Sequence, residues 1–336
     1  MARKYVLGLD FGTESARALL VAVDNGEEIA TAVEPYRHGV IDQQLPEGGA
    51  KLGPDWALQD SRDYLHALET TVRVVLAEAR ISGGDVIGIG IDFTACTPMP
   101  IDAQGRPLRD DPKFASNPHA WVKLWKHHAA QPQADRINAV ALERGETFLE
   151  RYGGKVSSEW LFPKMLQTLE EAPEVYAAAD RFIEAGDWIV LHLTGEEKRN
   201  ACAAGYKGMW EGGYPSSGFC EAVNPEFEHV AKEKLSNNIF PNGTRAGGLR
   251  KEIAEQLGLA PGTAVAVANI DAHAAVPGAG VSRPGQMCLI MGTSLCHMVN
   301  SPEGTPIGGV SGVVRDGILP GYYGYEAGQS AVGDIF

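Results

Sequence analysis

A chain of 336 residues, 44% of them hydrophobic, has enough apolar mass for more than one core, so one to three domains are expected. The formal net charge of -14 argues against nucleic acid and against polybasic attachment to an anionic membrane, although backbone amides and a metal ion can still hold a phosphate locally. No stretch approaches a membrane span, and five cysteines without a Cys-x-x-Cys pair suggest neither a disulfide framework nor a zinc knuckle, so a reducing cytoplasm is the expected setting.

The run from Tyr5 to Asp10 reads as a buried strand and is too short for a secretory signal core. Gly12-Thr13 makes a tight turn, Ala16 to Asp24 a second strand, and Glu27 to Val33 a third after the Asn25-Gly26 turn, an antiparallel meander. Residues 37–55 carry Pro46, Gly48, Gly49, Gly53 and Pro54 without periodicity and read as a surface excursion. Between Arg62 and Arg80, the apolar residues Tyr64, Leu65, Leu68, Val72, Val75, Leu76 and Ala79 share one helical face, with Asp60 or Ser61 as the N-cap. Val86 to Asp92 is another buried strand, opening into the small-residue loop Phe93 to Pro98, and such strand ends are where α/β proteins place ligands. The stretch 117–197 is mainly helical in pattern and rich in Trp and His, whereas 200–225, dense in Gly, Ser and aromatics, reads as folded but irregular. Thr263 to Asn269 is a strand that ends at Asp271, and Gln286 to Met291 is a strand that ends at Gly292.

A weak internal repeat links two of these places. Asp10-Phe11-Gly12-Thr13 and Ile290-Met291-Gly292-Thr293 each set Gly-Thr directly after an apolar strand, which suggests a duplicated domain. Gly12 lets a phosphate approach the backbone and its amides, Thr13 adds a hydroxyl, and Asp10 is placed to hold a hydrated Mg²⁺. Taken alone, an Asp-x-Gly-Thr is also an ordinary hairpin turn. The second copy has Ile290 where the first has Asp10, so it would grip a phosphate without the metal. The N-terminal glycines do not form G-x-G-x-x-G, and strand rather than helix follows them, which removes a dinucleotide fold.

The motifs Gly8-Leu9-Asp10-Phe11-Gly12-Thr13 and Met291-Gly292-Thr293-Ser294 resemble the phosphate loops of the actin, Hsp70 and hexokinase ATPase superfamily, in its FGGY carbohydrate kinase branch. Within that branch the resemblance narrows to kinases of L-ribulose, on Asp92 to Pro98, Gly205-Tyr206-Lys207-Gly208-Met209-Trp210, Asn269-Ile270-Asp271-Ala272-His273 and Tyr325 to Ser330. The resemblance implies an α/β, ribonuclease H-like actin/hexokinase-type ATPase fold, with two duplicated domains around a cleft. Residues 1–275 would form the sugar-binding N-terminal domain and 276–336 the start of the second, only partly present. It implies ATP with Mg²⁺, the metal on Asp10, and the phosphates on Gly12, Thr13, Gly292, Thr293 and Ser294. It also implies L-ribulose held by Ala95 through its backbone, by Lys207 and by Glu326, with Asp271 accepting the sugar proton. Apart from the resemblance, Asp271 reads as a helix N-cap, and Lys207 and Glu326 as solvated charges. His273, His127, His128 and His297 read as packed or hydrogen-bonded histidines, Cys96 as a small buried hydrophobe, and Trp210 as the tryptophan nearest the sugar.

Kinases of this family continue with a Gly-rich segment that cradles adenosine. The chain is therefore expected to be a fragment that exposes apolar surface and cannot hold adenine by itself. The rivals are another pentulose or pentitol (D-ribulose, ribitol, xylulose), a sugar-binding protein without transfer, and an Hsp70-like ATPase, which would need no Lys207-type polyol contact. Oligomeric state stays open, a homodimer included.

Overall fold

The computed structural model describes residues 3–291 and 295–329. The chain opens with the expected meander, β1 (Tyr5–Phe11), β2 (Ser15–Ala22) and β3 (Glu28–Pro35). Strand alternation buries Leu7, Leu9 and Phe11 and leaves Gly8 and Asp10 on the opposite face of β1. Helix α1 (Ser61–Ala79) starts at Asp60, whose carboxylate accepts the Arg62 N–H at 3.0 Å, and stops at Arg80 in the left-handed region at φ 54°. Its buried stripe, Tyr64, Leu68, Val72 and Val75, lies across β2 and β3, and each such side chain contributes about 1.5–3 kcal/mol by leaving water.

Strand β4 (Val86–Phe93) repeats the alternation, with Ile89, Ile91 and Phe93 buried and Asp92 on the other face. The chain then forms β5 (Pro98–Ile101), α2 (Gln131–Arg144), α3 (Leu161–Glu171), β6 (Arg181–Glu184), α4 (Ala185–Thr194) and α5 (Ala201–Lys207). A second core sits among these helices around Trp121, Trp160, Phe162, Met165 and Phe227. The stretch expected to be irregular thus contains α5, capped by Asn200, whose side chain accepts the Cys202 and Ala203 N–H groups, and a further helix at Ser217–Val223.

After β7 (Arg245–Gly248) and α6 (Lys251–Leu257), the strand expected from Thr263 to Asn269 divides into β8 (Ala264–Ala266) and β9 (Asn269–Ile270). The break falls where Val267 gives its N–H to Thr244 O instead of to the ladder. Helix α7 (Asp271–Gly278) follows at once. The seven-stranded sheet runs β7-β8-β4-β1-β2-β3, with β9 also alongside β4. β4 is parallel to β1, β8 and β9, and in this register Asp92 stands beside both Asp10 and Asn269.

A four-stranded antiparallel sheet of order β10-β11-β13-β12 completes the described chain, from β10 (Met287–Met291), β11 (Leu295–Ser301), β12 (Gly312–Arg315) and β13 (Tyr323–Gln329). β10 and β11 pair antiparallel as β1 and β2 do, so the repeat seen in sequence joins equivalent hairpins. One face of β10 exposes Met287, Leu289 and Met291. The two sheets meet at Tyr206 of α5. A Cβ at Gly312, Gly317 or Gly324 would stand 2.4, 2.7 or 2.5 Å from Tyr206 atoms, so the second sheet closes on this ring only because those positions lack side chains. Among the described residues no helix is long and apolar enough to cross a membrane.

Candidate active site

Three carboxylates gather at the ends of parallel strands. Asp10 and Asp92 are register neighbours, and Asp271 follows β9, itself paired with β4. Burial, then the charges of Asp10 and Asp271, push the Asp92 carboxyl up to about 8. Asp271 is also raised, by burial first, although the Ala272 N–H donated to its Oδ1 at 2.7 Å opposes the shift. It is the first residue of α7, whose N-cap is Ile270 without a side-chain cap, so Asp271 stands one position inside the helix and not at the cap expected of it. Asp10 is not bare: Arg17 Nη1 donates to its Oδ2 at 2.7 Å. Three converging carboxylates with one guanidinium among them offer oxygen donors of the kind a hard divalent cation such as Mg²⁺ takes, and its binding would release the proton that Asp92 holds.

The turn after β1 is fastened from outside. Gln59 Nε2 donates to Thr13 O at 2.7 Å, and the Trp125 indole N–H donates to Thr13 Oγ1 at 3.1 Å. The Gly12 amide, expected to be free for phosphate, instead donates to Ser15 O at 3.0 Å and closes the hairpin. A Cβ at Gly12 would make only ordinary contacts, 3.4 Å from Ser15 O and 3.9 Å from the Asp10 carboxylate, so the fold itself does not demand a glycine there. Gly292, Thr293 and Ser294 lie outside the described residues.

Lys207, at the end of α5, and Glu326, on β13, are separated by 119 positions and meet at 3.5 Å between Nζ and Oε1, both buried. Burial opposes both charges, but each holds its partner ionised, so the lysine is raised above its ordinary value and the glutamate lowered below its own. His273 Nε2 stands 3.4 Å from Glu326 Oε2, and its ring packs at 4.4 Å on Tyr206, in keeping with a packed or hydrogen-bonded histidine. The pair lies on the wall of a cleft of about 440 Å³, shared with Glu159, Trp160, Cys296 and Gln329. Asp271 lies within the field of Lys207. Ala95 packs against the cluster of Tyr206 and Ile270 beside it. Trp160, with Lys207 Nζ 5.9 Å from its ring, is the tryptophan at this site. Trp210 packs edge-on to Tyr214 at 4.9 Å and lines a separate depression with Arg151 and Arg315, because the chain turns away at Met209, where φ is 56°.

Sequence reasoning missed the support behind the loop that follows β4. Lys164 of α3 is buried and donates from Nζ to Cys96 O at 2.7 Å, and Glu184 accepts the Thr97 N–H at 2.7 Å. Cys96 is buried as expected, but it occupies the left-handed region at φ 50°, a conformation costing about 1–3 kcal/mol for a non-glycine residue. The available signal was Lys164 itself, a single charge inside the apolar run Leu161 to Leu166. His38, Asp60 and Asp63 also converge, yet Asp63 accepts from His38, and Asp60 caps α1 while pairing with Arg62 and Arg109, so hydrogen bonds already occupy that cluster.

Residues 5–278 match the model of the N-terminal domain of the FGGY family of carbohydrate kinases, and 287–336 match that of its C-terminal domain. The ribulokinase of Geobacillus thermodenitrificans is 56% identical over 338 residues, an alignment that takes in 100% of this chain and 60% of that protein. The ribulokinase of Mycolicibacterium smegmatis is 50% identical over 337 residues, covering 100% of this chain and 60% of the relative. The chain thus spans about 60% of the length of the curated relatives it matches. Among solved structures, the xylulose kinase of Rhodospirillum rubrum superposes with a TM-score of 0.79 at 22% identity, covering 98% of this chain and 62% of that one. The gluconate kinase of Lactobacillus acidophilus gives 0.74 at 16% identity, with 97% and 59% covered. These likenesses establish the α/β actin/hexokinase-type fold with a smaller second domain. On the family match across most of its length, the chain belongs to the FGGY family of carbohydrate kinases.

Proposed function

We propose that the full-length protein transfers the γ-phosphoryl group of ATP to the terminal 5-hydroxyl of L-ribulose, in the catabolism of L-arabinose. The observation that carries this reading is a buried, oppositely charged pair, Lys207 and Glu326, on a cleft wall whose field reaches the carboxylate of Asp271. A polyol needs such a donor and acceptor, because each buried hydroxyl left unpaired is costly. The identity to ribulokinases supports the choice of sugar.

In this reading Asp271 accepts the proton of the attacking hydroxyl, and its raised pKa makes it a better acceptor than an ordinary aspartate. Lys207 and Glu326 orient the sugar, with Ala95 contributing its backbone. Asp10, with Asp92 beside it, would hold Mg²⁺, which supplies charge neutralisation on the phosphate oxygens. Thr13 stands at the phosphates with Gly292, Thr293 and Ser294, and Gly12 keeps the backbone low enough for them. Residues 1–275 are assigned to the sugar-binding domain and 276–336 to the second. The rest of the work is alignment and exclusion of water.

A coupled assay of ATP consumption by the full-length protein, with L-ribulose, D-ribulose, ribitol and xylulose, tests this. L-ribulose is expected to saturate at the lowest concentration, and Asp271→Asn to lower kcat by about 10²–10⁴-fold. A variant close to the wild-type rate would remove Asp271 as the base, and the absence of sugar-dependent turnover would remove the activity.

A further inference from the structure

We propose that Lys164 and Glu184 are positioning residues for the sugar site, holding the loop from Thr94 to Thr97 in the conformation that presents Ala95 to the ketose. This rests on the function proposed above.

The loop leaves β4 beside the phosphate turn, tied to it by the Thr94 N–H donated to Phe11 O at 3.1 Å. Within the loop, Thr94 Oγ1 and Thr97 Oγ1 share a hydrogen bond of 2.9 Å. Between them Cys96 has a left-handed backbone, which an unbranched turn of this length does not keep without restraint. The restraint comes from behind. The Lys164 ammonium donates to Cys96 O at 2.7 Å, and also to Leu124 O at 2.8 Å and Lys123 O at 3.3 Å, so its donors are matched by three carbonyls. Glu184 Oε2 accepts the Thr97 N–H from the end of β6. Two residues of opposite charge therefore grip the two ends of one peptide group, the Cys96 carbonyl and the Thr97 N–H, just after Ala95.

Stability alone does not account for this choice. Lys164 sits among Leu161, Phe162, Met165 and Leu166, where a methionine would fill similar space without desolvating a charge. A methionine cannot donate to Cys96 O. Lys123 supplies the comparison, being equally buried and donating to Lys164 O, Gln167 Oε1 and Thr168 Oγ1, none of which belongs to the sugar loop.

The test is steady-state kinetics of the full-length enzyme with L-ribulose and ATP varied separately, with a thermal melt of each variant. Lys164→Met and Glu184→Ala should each raise the KM for sugar by about ten- to a hundredfold, the loss of one charged hydrogen bond, with the KM for ATP unchanged. Glu184→Gln keeps an acceptor for the Thr97 N–H and should restore the sugar KM. Lys123→Met should lower the melting temperature and leave the sugar KM in place. If Lys164→Met does not fold, the Glu184→Ala and Glu184→Gln pair decides. The proposal is overturned if Lys123→Met moves the sugar KM as far as Lys164→Met does, if Gln at 184 behaves as Ala does, or if the sugar KM stays put in an active wild-type background. A wild-type enzyme that turns over no pentulose would instead remove the function on which the proposal rests, and the proposal with it.

Discussion

Replacing Glu326 by glutamine, and Lys207 by methionine, separately and together, measures the clamp between α5 and the second sheet. Glu326 is the one side-chain acceptor within hydrogen-bonding reach of Lys207 among the described residues, and both are less than a tenth exposed. Glu326→Gln removes the countercharge and keeps the shape, leaving a buried ammonium without a carboxylate. Such a loss costs about 3–5 kcal/mol, against about 0–1 kcal/mol for a solvated surface pair. Lys207→Met leaves the Glu326 carboxylate facing His273, whose Nε2 at 3.4 Å is near enough to donate to it, so its cost should fall at the lower end of that range. The double variant buries no unpaired charge and should lie well above the sum of the singles, with a coupling of about 2 kcal/mol or more. Urea unfolding of the full-length protein, followed by tryptophan fluorescence, yields all four corners of the cycle. Single variants that each lose less than about 1 kcal/mol and add without coupling would refute the buried-clamp argument.

Asp92 sets a pH dependence of definite sign. Its folded value near 8 lies above the unfolded value of about 3.9, so between these limits the folded state holds a proton that the unfolded state has released. Its contribution is therefore lost progressively as pH rises through that window, and Asp92→Asn should raise the melting temperature more at pH 8 than at pH 5. Calorimetry at both values checks this, and an equal gain at each would exclude it. Added Mg²⁺ should stabilise the wild type more than Asp92→Asn, which the same scans report. Gly312→Ala, whose Cβ would meet Tyr206 Cδ1 at 2.4 Å, should cost about 1–3 kcal/mol of stability, and Tyr206→Leu in the same background should recover part of it. Additive losses in denaturant melts would mean the ring is not what the new methyl group strikes.

The meander, α1 and β4 were legible because each buries one face, and burial writes a period of two or 3.6 into the sequence. The division between β8 and β9 was not, because it depends on Thr244, a residue more than twenty positions away, drawing off one N–H. Helix α5 carried a signal in Asn200, but Gly205 and the aromatics masked it, and that glycine is there to let Val314 approach. In the site, Asp10, Lys207, Asp271 and Glu326 were singled out one by one from the words around them. Strand register gathers Asp10 and Asp271 around Asp92, and the socket around Tyr206 brings Glu326 to Lys207, neither of which a local pattern encodes. Asp92 read as a strand end because its partner, Asp10, lies 82 positions earlier and is brought alongside only by the parallel pairing. Lys164 stood out as a charge in an apolar run, but neither it nor Glu184 carries a local mark of its target, which for the lysine is a carbonyl 68 residues away.

The hydrogen bond from the Trp125 indole to Thr13 has an optical consequence. An indole whose N–H is bonded changes emission when that bond is exchanged, and this one ends on the turn assigned to phosphate. Trp160 is under a different influence, the ammonium of Lys207 5.9 Å from its ring. Of the protein's six tryptophans these two stand beside residues assigned to phosphate and to sugar, so the emission change that Trp125→Phe or Trp160→Phe abolishes is the part that would follow nucleotide or sugar without an added label.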